Sequence, residues 1–292
     1  MASIDHLAYG WINPVMAYTF SFLGSLLALM LAKRARDNVA GKRLRLLLVA
    51  ALVLGSTGIW LMHFVAMLGF DVPGMALRYD LAVTAVSLAL AVGIVAFGLL
   101  VVGLGQRLAA WRFLFGGPIT GIGIAAMHYM GMAAININGE IRYDSTLFAA
   151  SVIVAVVAAT VALWLAMVVR SASVTVVAAA AMGIAICSMH YTGMASVEVY
   201  PSEDVHPLHG STPFTLLVPI SMLASILIFG LFYAMAGMSI RDQTELAPAS
   251  PVRLDQVDTA AIERDFWTST TPMAEPPPSR PLRSRPGTGR FS

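Results

Sequence analysis

Three short motifs that pair a histidine with methionines recur along the chain, and they are its strongest candidates for chemistry. They read Met62-His63-Phe64-Val65-Ala66-Met67, Met127-His128-Tyr129-Met130-Gly131-Met132 and Met189-His190-Tyr191-Thr192-Gly193-Met194. The histidines are 65 and 62 residues apart, which corresponds to about two membrane crossings each time. Polar side chains inside apolar helices are costly and usually functional. Because residues four apart share a helix face, three copies of one His/Met pair predict a common site.

Metal binding is the chemistry that these side chains predict. Imidazole and thioether are ligands of intermediate and soft character, and methionine selects Cu(I) over zinc, magnesium or calcium. Uncharged ligands in a low-dielectric medium also favour Cu(I) over the more highly charged Cu(II). The predicted ligands are His63, Met67, His128, Met132, His190 and Met194. The methionines that precede each histidine point about 100° away and are either secondary ligands or packing residues: Met62, Met127 and Met189.

Other uses of the histidines remain open at this point. Histidine and methionine are both axial ligands of haem, and two of the histidines could hold one haem, which would leave the third without a role. The histidines could also act as pH switches, or each could simply donate a hydrogen bond between helices.

The rest of the chain predicts an all-α membrane protein that crosses the bilayer several times. The chain is 58% hydrophobic and 12% charged, with a mean hydropathy of +0.77, whereas a soluble domain carries about 25% charged residues. Lipid cannot satisfy open backbone groups, so apolar segments of about 20 residues must form helices. Seven such segments are predicted near 14–32, 45–68, 81–103, 112–134, 147–169, 173–195 and 214–236. Their only charged residues are Arg45 and Arg112, each at the first position of its segment.

The distribution of Lys and Arg predicts the orientation in the cytoplasmic (inner) membrane. Of the 18 Lys and Arg residues, all but Arg78 and Arg142 fall on one side of the predicted spans. By the positive-inside rule, the N-terminus is outside and the C-terminus is cytoplasmic. Each motif histidine then lies about 7 Å below the outer boundary of the membrane.

Internal similarity predicts three related two-helix units and one extra span. Residues 121–124, Gly-Ile-Gly-Ile, resemble residues 183–186, Gly-Ile-Ala-Ile. In the first motif-bearing segment, Gly58-Ile59 matches Gly123-Ile124. A small residue also follows each histidine by three positions, which predicts close helix approach: Ala66, Gly131 and Gly193.

The domain organisation follows from a change in composition. Residues 1–239 form the predicted seven-helix membrane domain. Residues 240–292 hold eight of the 15 prolines and seven arginines, which is typical of a mostly disordered segment, here a cytoplasmic tail.

The motifs resemble the signature of the MHYT family of bacterial integral membrane sensors. Residues 189–192 read Met-His-Tyr-Thr without change, and the resemblance covers roughly residues 12–205. It implies copper liganded by the motif histidines and methionines near the outer face, and sensing of oxygen, carbon monoxide or nitric oxide. Family members often carry cyclic-di-GMP enzymes or DNA-binding output domains; none is recognised in this sequence, so the expected output is a separate cytoplasmic protein.

The predicted function is therefore an integral membrane signalling sensor that binds copper and, through it, a diatomic gas. A copper carrier or permease and a haem-binding redox protein are the alternatives. The sequence has no phosphate-binding glycine loop, CxxC or HExxH motif, so neither catalytic residues nor an enzymatic activity is expected. The expected partners are the lipid bilayer, the gas and the output protein, and not nucleic acid.

Overall fold

The computed structural model of the protein describes residues 2–5, 8–105, 109–202 and 206–246. Contacts between residues group Met1–Ser239 into one compact unit. In chain order the elements are α1 (Ile12–Arg36), α2 (Ala40–Val53), a π-helix (Leu54–Leu61), α3 (Met62–Met67), β1 (Arg78–Tyr79), α4 (Leu81–Gly103), α5 (Ala110–Ala133), β2 (Ile135–Asn136), β3 (Gly139–Tyr143), α6 (Ser145–Val168), α7 (Ala172–Ala195), β4 (Val197–Pro201) and α8 (Pro213–Leu246).

Six helical segments are long and apolar enough to cross a membrane, as expected of a multi-pass membrane protein. They are Ile12–Arg36, Ala40–Met67, Leu81–Gly103, Ala110–Ala133, Ser145–Val168 and Ala172–Ala195. The helical class is thus confirmed, as are long apolar helices at the first six predicted spans. Short strands lie in the loops between them.

The seventh predicted span lies in α8, whose described apolar stretch, Val218–Gly230, is shorter than the others. The seven-span count and the orientation of the termini stay predictions. Residues 247–292, which make up most of the predicted tail, lie outside the described residues.

The six long segments close into a ring. Each segment packs against its neighbours along the chain, and α7 packs back against α1. A glycine permits close approach at three equivalent joints, because a Cβ there would meet the backbone of the next helix. The pairs are Gly55 with Val92, Gly121 with Val156, and Gly183 with Phe22.

A one-residue difference between the motif-bearing segments explains the π-helix. Gly55 precedes His63 by eight residues, whereas Gly121 precedes His128 by seven, as in the third copy. In a regular α-helix the extra residue would turn His63 about 100° away from the ring axis. The π-helix Leu54–Leu61 takes up that residue, so both the glycine contact and the histidine keep their positions; such π-bulges are frequent at functional sites.

Short antiparallel pairings tie the loops together at the end of the ring that holds the motifs. Strand β1 pairs with β2, β3 pairs with β4, and a single bridge joins Asp5 to Asp71. The paired residues Asp71, Asn136 and Glu198 each follow their motif histidine by eight positions. The same loop pairing is therefore made three times around the ring.

Candidate metal centre

The three motif histidines meet on the axis of the ring and form what we term the tri-histidine cluster: His63, His128 and His190. Their Nδ1 atoms are 3.0 Å apart between His63 and His190, 3.1 Å between His128 and His63, and 3.3 Å between His190 and His128. The rings cross one another at 78°, 82° and 86°. Each of the three helices thus directs the Nδ1 atom of its histidine toward one point, and the planes of the three rings are nearly perpendicular to one another.

The size of this triangle suits a metal ion. A point equidistant from the three Nδ1 atoms lies about 1.8 Å from each, and a small displacement out of their plane gives the bond length of about 2.0–2.1 Å known for zinc–imidazole. Among the His, Cys, Asp and Glu side chains of the described residues, these three histidines form the one group of three or more that could hold a metal. The ligand set is neutral, and no carboxylate belongs to it.

The donor chemistry of the three nitrogens also fits a cation. Each Nδ1 of a neutral imidazole either carries a hydrogen and donates, or is bare and accepts. Among three nitrogens at least two are alike, so at least one of the three contacts joins two donors or two acceptors. Three bare nitrogens around a metal ion remove this conflict, because all three lone pairs then point at the positive charge.

Water is excluded from the cluster by tight packing. The histidines are 2%, 0% and 1% exposed. Each ring has the aromatic side chain next in sequence against it, with ring centroids 4.8 or 4.9 Å apart and steep interplanar angles; these neighbours are Phe64, Tyr129 and Tyr191. The Tyr129 hydroxyl is in turn hydrogen-bonded to Ser151 Oγ of α6 at 2.7 Å.

The small residues after the histidines make room for the imidazole of another helix. A Cβ on Gly131 would overlap Nε2 of His63, and a Cβ on Gly193 would lie 2.5 Å from Nε2 of His128. The contact at these two glycines is thus one of an imidazole ring with the backbone. Close helix-to-helix approach at Ala66, Gly131 and Gly193 stays a prediction. Within the described part of the chain, Nε2 of His63 and of His128 make no hydrogen bond, unlike most metal-ligating histidines, whose second nitrogen donates to a neighbour.

The six methionines predicted as primary or secondary ligands are all buried, at 0–3% exposure. Met67, Met132 and Met194 lie one turn beyond the histidines on the same helix faces, and metal ligation by their thioethers stays a prediction. Of the secondary candidates, Met189 lines an apolar cavity on the opposite side of the cluster. Ligation by Met62 and Met127 likewise stays a prediction.

Some residues around the site are not metal ligands, so a search of the sequence for ligands does not find them. Ile59, Ile124 and Ile186 each precede a motif histidine by four positions and line the same apolar cavity as Met189. Their spacing is the available signal, since residues four apart share a helix face. Ser151 gives no such signal, because it pairs with Tyr129 only through the packing of α6 on α5.

The fold and the site define a protein with six helices long and apolar enough to cross a membrane and with a buried group of histidines able to hold a metal. Comparison with known families agrees with this class. Residues 57–116 and 121–179 match the MHYT family, described as "Bacterial signalling protein N terminal repeat". The chain therefore contains two MHYT repeats, the repeat of a family of bacterial signalling proteins.

Similar proteins include two cyclic di-GMP enzymes and a signaling protein. The chain is 41% identical over 197 residues to the bifunctional diguanylate cyclase/cyclic di-GMP phosphodiesterase MucR of Pseudomonas aeruginosa; the match covers 65% of this chain and 28% of that protein. It is 36% identical over 188 residues to the cyclic di-GMP phosphodiesterase NbdA of the same organism, covering 62% of this chain and 24% of NbdA. The signaling protein YkoW of Bacillus subtilis is 29% identical to the chain over 227 residues, and the match covers 73% of this chain and 28% of YkoW.

The chain thus spans less than a third of the length of these relatives. Their enzymatic names belong to the whole proteins. No solved structure matches the chain.

Proposed function

We propose that the protein is a sensor of the cytoplasmic membrane that binds one copper ion at the tri-histidine cluster and, through the copper, a diatomic gas such as oxygen, carbon monoxide or nitric oxide. The observation that carries this proposal is the convergence of three buried Nδ1 atoms to within 3.0–3.3 Å of one another.

The surroundings of the cluster favour copper in its lower oxidation state. Imidazole ligands suit copper and zinc alike, but the set is neutral and the site is fully buried, so a doubly charged ion lacks compensation. The thioethers of Met67, Met132 and Met194, one turn away, add soft donors that select Cu(I). Bound copper would supply an open coordination position for a small gas.

The protein side chains hold and isolate this position. The three histidines are fixed by aromatic neighbours on one side and by glycine backbone on the other, so their Nδ1 atoms are oriented before any ion binds. Burial keeps water away from the ion.

The cluster joins three separate helices, α3, α5 and α7, at a single point. A change in the bonding at that point acts on all three helices at once. For signalling, the gas must bind two packings of these helices unequally, since only differential binding shifts a conformational equilibrium. Loops on the predicted cytoplasmic side would report the change to a separate output protein.

Haem fits the geometry poorly. A haem held by two of the histidines would have to place its macrocycle between nitrogens that lie 3.0–3.3 Å apart. A copper permease needs ligands along a path, whereas the three histidines lie at one level with isoleucines one turn below.

Metal analysis of purified protein tests the proposal. Protein in nanodiscs is incubated with Cu(I), and bound copper is measured after desalting, together with an absorption spectrum and the infrared spectrum of added carbon monoxide. Wild type is expected to bind copper one to one, with a carbonyl band and no Soret band. His63→Ala, His128→Ala and His190→Ala should each lose the copper.

His209→Ala is the matched control. His209 lies in a loop, where its backbone carbonyl accepts a hydrogen bond from Asn136, so its imidazole can be removed without touching the cluster. Copper that stays bound in all three cluster variants, or wild type that binds none, would overturn the proposal.

A further inference from the structure

A narrow apolar cavity lies on the axis of the ring, beneath the tri-histidine cluster; we call it the axial cavity. Its volume is about 50 Å³, and α1, the π-helix and α4 to α7 all contribute to its wall. Along α6 its wall runs from Ala155 to Ala166, which corresponds to about 16 Å of helix. Two sets of equivalent side chains mark its length: Ile59, Ile124 and Ile186, and then Leu29, Leu99 and Leu163.

The axial cavity begins directly below the predicted metal position. Each of its three isoleucines precedes a histidine of the cluster by four residues, so it lies about 6 Å further along the same helix face. Met189, which adjoins His190, also lines the cavity. Only the isoleucine layer therefore stands between the cavity and the cluster.

The wall selects against water. A buried water needs two to four polar partners, but the wall consists of Ala, Leu, Ile, Val and Met side chains with the single hydroxyl of Thr120. That hydroxyl is buried and makes no hydrogen bond within the described residues. Apolar cavities of about 150 Å³ stay dry and bind benzene or xenon. At a third of that volume, the axial cavity suits a guest of two or three atoms.

The same cavity adjoins the lipid. Ala158, Ala162 and Met182 line both the axial cavity and a groove on the outer surface between α6 and α7. The groove is formed with Ile153 and Val157, which are 64% and 57% exposed. Two alanines and one flexible methionine thus separate the hydrocarbon of the membrane from the cavity.

The end of the ring away from the histidines is closed by polar contacts. The guanidinium of Arg36 in α1 donates hydrogen bonds to the carbonyl oxygens of Ala166 and Val169 at the end of α6. Ala166 also marks this end of the cavity wall. A route into the cavity between α6 and α7 is therefore shorter and less polar than a route past Arg36.

We propose that the axial cavity is a binding site for a nonpolar diatomic gas, which enters from the bilayer between α6 and α7 and reaches the tri-histidine cluster from below. The inference rests on the proposed function for the identity of the gas, but occupancy of the cavity requires no metal. Nonpolar gases are more soluble in hydrocarbon than in water, so the membrane delivers them at a higher local concentration.

Paramagnetic relaxation by molecular oxygen tests occupancy directly. Metal-free protein with ¹³C-labelled methionine methyls is placed in nanodiscs under oxygen pressure, and methyl relaxation is measured. Met189 lines the cavity and not the outer groove, whereas Met127 and Met132 are buried outside the cavity wall. Oxygen should relax the Met189 methyl several-fold more than the methyls of Met127 and Met132. Equal relaxation of the three methyls would overturn the proposal.

A variant with a filled cavity gives a second test of oxygen binding. Ala159→Leu places a larger side chain on the wall and should remove the excess relaxation of Met189. Ala149→Leu makes the same change on an exposed face of α6 and should leave that excess unchanged. If Ala159→Leu does not fold, because overpacking costs about 1–3 kcal/mol, the smaller change Ala155→Val takes its place.

The copper-loaded protein links the cavity to the cluster. After photolysis of bound carbon monoxide, the bimolecular phase of rebinding in Ala159→Leu should slow several-fold at unchanged copper content. Ala149→Leu should rebind carbon monoxide at the wild-type rate. If wild-type protein binds no copper but oxygen still occupies the cavity, the proposed function is refuted and the cavity site is supported. If the protein binds copper and carbon monoxide but shows no excess methyl relaxation, the proposed function is supported and the cavity site is refuted.

Discussion

Gly131 of α5 lies against the edge of the His63 imidazole, so that a Cβ on Gly131 would overlap Nε2 of that ring. His63 and Gly131 are far apart in sequence and belong to different motifs. The residue three positions after one histidine thus forms the seat for another, and Gly193 does the same for His128.

Gly131→Ala should therefore weaken metal binding. The added methyl pushes the His63 ring from its position, and disturbed support of a ligand typically costs about 10–100-fold in metal affinity. Copper titration against a competing chelator measures the change. Gly93→Ala is the control, because nothing lies within 4 Å of a Cβ at that exposed position of α4; similar affinities for the two variants would contradict the seating role of Gly131.

Deleting Ser56 should leave the metal site intact. The deletion shortens the distance from Gly55 to His63 to the seven residues found in the other two motifs, so the π-helix becomes an α-helix while both ends keep their register. Deleting Ile122, the corresponding position of α5, turns His128 about 100° away from the axis. Copper content and melting temperature are measured for both deletion variants. Loss of copper in both would show that the metal site needs the π-helix itself and not only the correct orientation of His63.

Copper should stabilise the folded protein through the cluster. An ion that binds only the native state adds about 2.7 kcal/mol at a free concentration of one hundred times its dissociation constant. The melting temperature of wild type should therefore rise with Cu(I) and fall again with a chelator. His128→Ala should show neither change, and a copper-dependent shift in that variant would place the ion elsewhere.

Tyr129→Phe should cost stability without loss of metal. The variant removes the 2.7 Å hydrogen bond to Ser151 Oγ, worth about 0.5–1.5 kcal/mol, while the ring that packs on His128 remains. The first motif already has Phe64 at this position. Denaturant unfolding and copper content are measured together, and a large fall in copper content would assign the hydroxyl a role in the site.

Alkaline pH should destabilise the loop end of the ring. Burial, reinforced by the neighbouring Tyr129, raises the pKa of Tyr143 in β3 to about 12. A group whose pKa is raised by folding contributes stability below its ordinary value of 10.0, and this contribution is lost as pH rises toward 12. The melting temperature should fall over this range, and Tyr143→Phe should reduce the fall without changing the melting temperature at pH 8. An identical pH dependence in the variant would rule out this residue as the cause.

The sequence by itself determined the membrane class, six of the helices and the residues of the cluster. Long apolar segments must be helical in lipid because no water satisfies their backbone, and an imidazole inside such a helix must have a polar partner or a ligand. The fixed spacing within the motifs then places histidine, methionine and the small residue relative to one another on each helix. These relations hold within one helix, and local geometry decides them.

Only the tertiary structure decided which faces of the helices meet. Nothing in the spacing reveals that Nδ1 is the nitrogen directed to the axis, that α7 closes the ring on α1, or that Gly131 seats His63. The axial cavity likewise brings Leu29 and Leu163 to one wall from distant parts of the chain. Periodicity reports the face of each helix, but the contacts between faces depend on side-chain shapes across the whole ring, and these are set only when all six helices pack together.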